Sequence, residues 1–349
     1  MIKITVPATS ANLGIGYDTL GMAVSLYAHF SFARAEALEI SGCPEEFQNE
    51  HNLVYASFAN ALRAWGAEPF PVRLHIETDV PVARGLGSSS TCVVAGIMAA
   101  AALTRRTVDR AELVRLATEV EGHPDNVAPA ILGGAVCSFT PSDGEPRCLR
   151  YEVSRKLRFV TIIPPYEVHT HEARQVVPAQ VPLADAVWQM GRVAGMTRGL
   201  ETGDLALIAA ANATGCRSRT GARSSPITTP SARRAWTAGR ARLWISGSGS
   251  TLTGRDRRHR SLRSSCRSAA RAVPHCATRI LTVRHRGPRQ IEYSRKGARA
   301  RGCHARAAGM ATRRKGIALP PTPVTKLRRQ RTLRHEQLGP SPGPPRCWL

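Results

Sequence analysis

Charge is spread along this chain in a way that limits where a fold can form. Residues 1–213 carry 17 Lys and Arg against 22 Asp and Glu, a net of −5. Residues 214–349 carry 32 basic residues against three acidic ones (Asp256, Glu292 and Glu336), a net of +29. Of those 32, 29 are Arg. Pro, Ser and Thr fill much of the remainder, and Gly339 to Pro345 is a Pro/Gly run. A stretch with so little hydrophobicity and so much like charge cannot repay the entropy of ordering it. The first 213 residues read as the ordinary folded part, joined to something very basic, and the overall charge of +24 describes neither part. A uniformly basic nucleic-acid-binding protein is excluded.

Other classes fall by similar arguments. The most apolar run, Cys92 to Leu103, is about a dozen residues, short of the roughly 20 that a membrane span needs. Met1 to Val6 goes straight into strand-like alternation, without the basic-then-apolar pattern of a leader segment. Nine cysteines with no CxxC pair fit neither a disulfide framework nor a zinc site. Cys92 and Cys137, among apolar neighbours, read as small core residues, and a reducing, cytoplasmic setting is the expectation. The sparse aromatics of the basic part (Trp236, Trp244, Tyr293 and Trp348) do not interleave with the arginines as in stacking RNA-binding arms.

Within residues 1–213, strand and helix signals alternate. Ile2, Ile4 and Val6 predict an opening strand closed by Pro7. Leu53 to Trp65 has helical spacing, and Arg73 to Thr78 alternates like a strand. Thr91 to Leu103 predicts a buried helix. Asp109 can cap another helix running to Glu121, with Glu112 placed for a capping box. Val136–Phe139 and Arg158–Ile163 are further strand candidates. The mixture implies a layered α+β protein.

Three segments could carry chemistry. In Pro81-Val82-Ala83-Arg84-Gly85-Leu86-Gly87-Ser88-Ser89-Ser90-Thr91, glycines let backbone N–H groups converge on an anion at a helix start, where the dipole favours negative charge. No Lys follows the glycines, so this is not the GxxxxGK[ST] loop, and a flexible serine-capped turn is the structural alternative. The second segment runs from Glu119 to Asn126. A carboxylate ending a helix, then Gly122-His123-Pro124-Asp125-Asn126, could hold a metal and orient a hydroxyl. The alternative is an ordinary helix stop with solvated polar residues. The third, Pro7 to Asp18, sets Asn12 and Asp18 in a loop after the first strand, where a carboxylate can meet a substrate ammonium; a structural turn explains it equally well.

Together these segments resemble the GHMP kinases. Pro81 to Ser89 matches the family's P-x-x-x-G-L-G-S-S motif, and Ser246-Gly247-Ser248-Gly249-Ser250-Thr251 matches its glycine-rich third motif. Ala8 to Asp18, Glu121 to Ala130 and His171 to Pro178 resemble the homoserine kinase branch in particular. The resemblance runs from residue 1 to about 213 and returns only at Leu243 to Leu252. It implies a two-domain α+β fold. A ribosomal-protein-S5-like N-terminal domain would span 1–150 and a ferredoxin-like domain 151–252, with 214–242 in doubt and 253–349 a basic, disordered, non-native tail.

The resemblance also implies roles. Pro81 to Thr91 would wrap the phosphates of ATP, Ser89 and Glu121 would hold Mg²⁺, and Asn126 would orient the attacking hydroxyl. Asn12, Asp18, His123 and Arg174 would bind the amino acid L-homoserine, giving O-phosphohomoserine for threonine biosynthesis. No specific nucleic acid and no membrane are implied as partners, and a homodimer is compatible. Two other readings remain open: a GHMP kinase for another small alcohol, such as mevalonate or a sugar, and a non-catalytic, polyanion-binding kinase remnant.

One departure matters. The family's Y-R-x-x-L-I-P-x-Y segment, with a substrate-binding Arg, is missing between residue 213 and the third motif. Back-translating Thr220 to Arg233 with third bases chosen freely, and shifting the frame by one base, gives Y-R-R-A-L-I-P-D-Y-D-A-V-R. A frameshift near residue 214, restored near 242 and lost again after Leu252, would account for this and for the Arg-rich bias. Such a loss would leave a sheet edge unpaired and a core half uncovered. A real basic extension that binds polyanions nonspecifically is the alternative.

Overall fold

The computed structural model describes residues 1–142, 144–163, 179–212, 242–245, 252–256 and 277–292. The fold starts on β1 (Ile2–Ala11), where Ile2, Ile4 and Val6 alternate inward. The strand does not end at Pro7 as that residue type suggests. It runs on to Ala11, with a shift in register against the next strand between Pro7 and Thr9. A bulge tolerates proline because the ladder is interrupted there. Beyond it every residue to Ala11 is buried, so this end of the strand is covered on both faces.

β1 pairs antiparallel with β2 (Leu20–Arg34), whose 15 residues serve two neighbours on one edge. β4 (Val72–Thr78) pairs along Ala28–Arg34, and β5 (Ala135–Phe139) along Leu20–Met22. β3 (Glu39–Ser41) lies parallel to β4, and β6 (Arg147–Tyr151) antiparallel to β5. Helices α1 (Leu53–Ala64), α2 (Ser88–Thr104), α3 (Arg110–Glu121) and α4 (Pro124–Leu132) complete this part. The predicted helices at 53–65, 91–103 and 109–121 and the strands at 73–78 and 136–139 are present with ends shifted by a few residues at most.

α2 is apolar on nearly every face, as a helix enclosed by others must be. Gly96 allows the close approach of α1, because a Cβ there would lie 2.3 Å from the Val54 carbonyl oxygen. Asp109 caps α3 as expected, accepting from the Glu112 amide at 2.8 Å. The reciprocal half of the capping box is not formed. The Glu112 carboxylate instead accepts from the indole of Trp65, just past the end of α1, at 2.8 Å and lies 3.8 Å from Arg106.

A second antiparallel sheet has the order β10 (Ala277–Leu281), β7 (Arg158–Ile163), β9 (Leu252–Asp256), β8 (Arg242–Ile245). Two further helices, α5 (Leu183–Thr202) and α6 (Leu205–Ala211), follow in sequence after β7, the second capped by the Asp204 carboxylate. The architecture is α+β.

Residues 253–256 and 277–292 differ from the tail expected after residue 252. Ala277–Leu281 supplies the neighbour of β7, so that edge is paired, and β11 (Arg289–Glu292) pairs antiparallel with β1. Between them Val283 bridges Val24, and the Gly134 amide donates to the Arg284 carbonyl at 2.7 Å. The physical reason is local. Ala277-Thr278-Arg279-Ile280-Leu281 has enough apolar content for a strand, which an average over 136 arginine-rich residues conceals.

Candidate active site

The end of β1 meets the starts of α2 and α4 and the end of α3, and the three candidate segments lie at these junctions. The turn before α2 passes through left-handed backbone at Ala83, Gly85 and Gly87, with φ of 52°, 72° and 67°. Leu86 is buried and anchors it, its carbonyl accepting the Thr9 amide at 3.1 Å. Gly87 could be nothing but glycine. A Cβ there would fall 2.0 Å from Thr9 Oγ1 and 3.2 Å from Asn126 Oδ1. Gly87 also supplies no side-chain cap, so the first-turn amides of a 17-residue helix present partial positive charge where the turn opens. The Arg84 guanidinium curls back to its own loop, donating to the Val82 carbonyl at 3.2 Å.

Two serines of that first turn grip the end of α3. Ser89 Oγ donates to Glu121 Oε2 at 2.6 Å, and Ser90 Oγ to Glu121 Oε1 at 3.0 Å. Glu121 ends its helix because Gly122 takes the left-handed cap, φ 85°. A hydroxyl and a carboxylate at this spacing form an oxygen donor set of the kind a hard divalent cation prefers. Next along α2, burial pushes the Cys92 thiol up to about 12, with the Glu121 carboxylate adding to the shift.

α4 begins on His123 as its cap residue and Pro124 as its first. Asp125 and Asn126 therefore fall in the first turn, and both are buried, at 2 % and 9 % exposure, rather than solvated as an ordinary helix stop would leave them. His123 Nδ1 lies 2.5 Å from Asp125 Oδ1, within hydrogen-bond distance. Thr9 Oγ1 donates to Asn126 Oδ1 at 2.7 Å, and the Asn126 amide nitrogen lies 3.5 Å from Asp125 Oδ1. The Asn126 oxygen is thus turned to Thr9 and its N–H groups away from it.

The loop after β1 is held by its own strain. Asn12, Leu13 and Asp18 have positive φ, and Asn12 Oδ1 accepts the Asp18 amide at 3.0 Å. Leu13 and Ile15 are buried and pin the loop, and the Gln189 side chain of α5 donates to the Ile15 carbonyl. This brings Asp18 in. Its carboxylate, a His123 ring nitrogen and the Asp125 carboxylate lie within 4.8 Å of one another. Two carboxylates around an imidazole suit an ammonium group or a cation.

Asp18, His123, Asn126, Ser89, Glu121 and the turn 81–91 are therefore drawn together, while Asn12 serves chiefly to close its own loop. Arg174, the His171–Pro178 segment and the Ser246–Thr251 motif lie outside the described residues. Sequence reasoning assigns no role to Thr9 and takes Asp125 only as one of the polar residues from Glu119 to Asn126 that could hold a metal. Asp125 carries a signal, since a carboxylate in the first turn of a helix that begins His-Pro is well placed for the residue before it.

Known proteins resemble this chain in sequence and in fold. Residues 52–134, from α1 through α4, match the family described as GHMP kinases N terminal domain. A homoserine kinase of Clostridium botulinum (strain Loch Maree / Type A3) is 42% identical over 209 residues, covering 60% of this chain and 70% of that protein. The chain belongs to the homoserine kinase branch of the GHMP kinase family. A Clostridium beijerinckii homoserine kinase is 41% identical over 210 residues, with the same coverage of both chains. The crystal structure of a Cytophaga hutchinsonii homoserine kinase superposes with a TM-score of 0.71 at 27% identity, covering 83% of this chain and 97% of that one. A Streptococcus pneumoniae phosphomevalonate kinase, at 14% identity and a TM-score of 0.65, shares the fold. As a GHMP kinase the chain is a phosphotransferase. Among the described residues no helix is long and apolar enough to cross a membrane.

Proposed function

We propose that this chain transfers the γ-phosphate of ATP to the side-chain hydroxyl of L-homoserine, a step of threonine biosynthesis. The observation that carries the reading is the contact of Gly87 with the Thr9–Asn126 pair, which joins the phosphate-binding turn to the residue assigned to the acceptor hydroxyl. The resemblance and the sequence relatives support the same assignment.

The amides at the start of α2 bind the triphosphate, and Asp18 and His123 bind the substrate ammonium. Ser89 and Glu121 would hold Mg²⁺, which supplies charge neutralisation on the phosphates. Asn126 has its oxygen engaged by Thr9 and offers N–H donors, so it orients the hydroxyl oxygen and takes no proton from it. An amide is no base at neutral pH, and phosphoryl transfer, with its loose transition state, rests on positioning and electrostatics rather than on strong deprotonation. The hydroxyl proton passes to the transferred phosphate.

The frameshift reading of residues 214–242 carries a cost for substrate binding. One missing Arg–carboxylate interaction is worth about 1.5–3 kcal/mol, roughly tenfold to a hundredfold in affinity. Incubation with labelled ATP and a panel of small alcohols, with the product identified by phosphorus NMR, tests the function. Phosphate on L-homoserine supports it; transfer to mevalonate or a sugar alone, or to no alcohol, refutes it. Resequencing the coding DNA around codons 210–256 tests the frame.

A further inference from the structure

The Asp125 carboxylate is a buried charge that the phosphotransfer described above does not use. Its side chain is 3 % exposed, yet it carries no ion pair with Lys or Arg among the described residues. What supports it is the first turn of α4, whose dipole favours a negative charge there, and the ring of His123 at 2.5 Å. Its place is fixed from behind: Gly21 of β2 approaches so closely that a Cβ would lie 1.7 Å from the Asp125 carbonyl oxygen and 2.8 Å from Pro129. A group held this rigidly, and buried at the cost of desolvation, is suited to imposing a geometry on its neighbour.

We propose that Asp125 is a positioning residue that acts through His123, setting which hydrogen-bond polarity the imidazole offers to the amino-acid substrate. This rests on the homoserine kinase reading. A carboxylate only accepts, so the ring nitrogen facing it must carry the proton, and in the neutral ring Nε2 is then the acceptor. An acceptor nitrogen and the Asp18 carboxylate together match an α-ammonium group, which only donates. The opposite tautomer would set a ring N–H against the ammonium N–H groups. The carboxylate also lies 3.5 Å from the Asn126 amide nitrogen, so it disfavours an Asn126 flipped with its oxygen toward Asp125. That second contact bears on the orientation of the acceptor hydroxyl, and so on kcat, whereas the ring bears on KM for the amino acid.

The test substitutes Asp125→Asn in the full chain, a change of similar size whose amide can donate to Nδ1 and so release the opposite tautomer. With ATP saturating, KM for L-homoserine rises about tenfold or more, and KM for ATP is unchanged. Because Asp125 works through His123, the double variant Asp125→Asn/His123→Gln has the same homoserine KM as His123→Gln alone. A second readout needs no turnover. Nitrogen NMR of histidine-labelled protein at alkaline pH, with the His123 signal identified by its loss in His123→Gln, reports the tautomer directly. An Nδ1–H ring in the unsubstituted chain that shifts toward Nε2–H in Asp125→Asn supports the proposal. An Nε2–H ring in the unsubstituted chain overturns it, as does full additivity of the two substitutions on KM. If the unsubstituted chain phosphorylates no homoserine and the tautomer still switches, the assignment of function fails while the positioning role stands.

Discussion

Gly87→Ala tests the contact on which the site depends. The new Cβ would lie 2.0 Å from Thr9 Oγ1, where ordinary contact begins at 3.4 Å, so one side must retreat by more than an ångström. Thr9 has little room: it is wholly buried in β1, and its hydroxyl is committed to Asn126 at 2.7 Å. Rotating that hydroxyl away leaves the Asn126 oxygen unpaired, at about 1–3 kcal/mol. The left-handed backbone at φ 67° adds about 1–2 kcal/mol for any residue with a Cβ. Gly66→Ala is the matched control, because Gly66 has φ 72° and a Cβ placed there would meet nothing within 4 Å. Gly66→Ala is expected to lose only the backbone contribution and to keep its kinetics. Gly87→Ala is expected to lose about 2–5 kcal/mol in total, with kcat down by roughly a hundredfold, the effect of an ångström-scale misplacement at a reacting group. Urea unfolding of both variants and initial rates with L-homoserine decide it. If Gly87→Ala unfolds no earlier than Gly66→Ala and turns over normally, the link between the Pro81–Thr91 turn and Asn126 is wrong.

Further expectations follow from the same contacts. Glu121→Gln removes the charge facing Ser89 and Ser90 and should raise the Mg²⁺ concentration for half-maximal rate at least tenfold, read by metal titration of activity. Cys92, with its thiol near 12 against an ordinary 9.0, should have a thiolate fraction about a thousandfold below that of an ordinary cysteine at mildly alkaline pH, and iodoacetamide mapping should find it unlabelled in the native chain. The sign for stability follows: above pH about 9 the unfolded thiol has lost its proton while the folded one retains it, so stability falls as pH rises, and Cys92→Val should lessen that fall in unfolding curves.

The elements that the sequence shows most clearly are those specified by neighbours along the chain. Helices at 53–65 and 109–121 announce themselves by spacing and caps, and the Pro81–Thr91 turn by its glycines. What escapes is set by contacts between distant residues. β2 lacks clean alternation because it is enclosed on both faces near Leu20 to Val24 and half-exposed farther on. Pro7 reads as a stop unless the bulge it occupies is known. Thr9 looks like one more small residue of a loop motif until Asn126, 117 residues away, is set against it. In the sequence Asp125 reads, with its neighbours, as metal-holding or solvated, and its burial beside His123 is visible only in the fold.

Residues 277–292 give the sharpest instance, and they bear on the frameshift reading. If everything after Leu252 were out of frame, its sequence would carry no trace of the sheets, and an extended segment there would have no reason to fit. Yet Gly287 stands where a Cβ would meet the Ile131 carbonyl oxygen at 1.8 Å, and the Arg150 guanidinium donates to the His285 carbonyl at 2.8 Å and to the Gly133 carbonyl at 3.2 Å. Leu281 is buried at 3 % exposure in the core that β7 helps to form. A glycine at a place where only glycine fits argues that at least part of this segment was selected against β1, β7 and α4. Gly287→Ala should then destabilise the chain by about 1–3 kcal/mol, the usual penalty of forced overpacking. Gly339→Ala, in the Pro/Gly run near the end, should leave the urea midpoint unchanged. Equal midpoints for the two variants would refute the argument and return residues 277–292 to the tail.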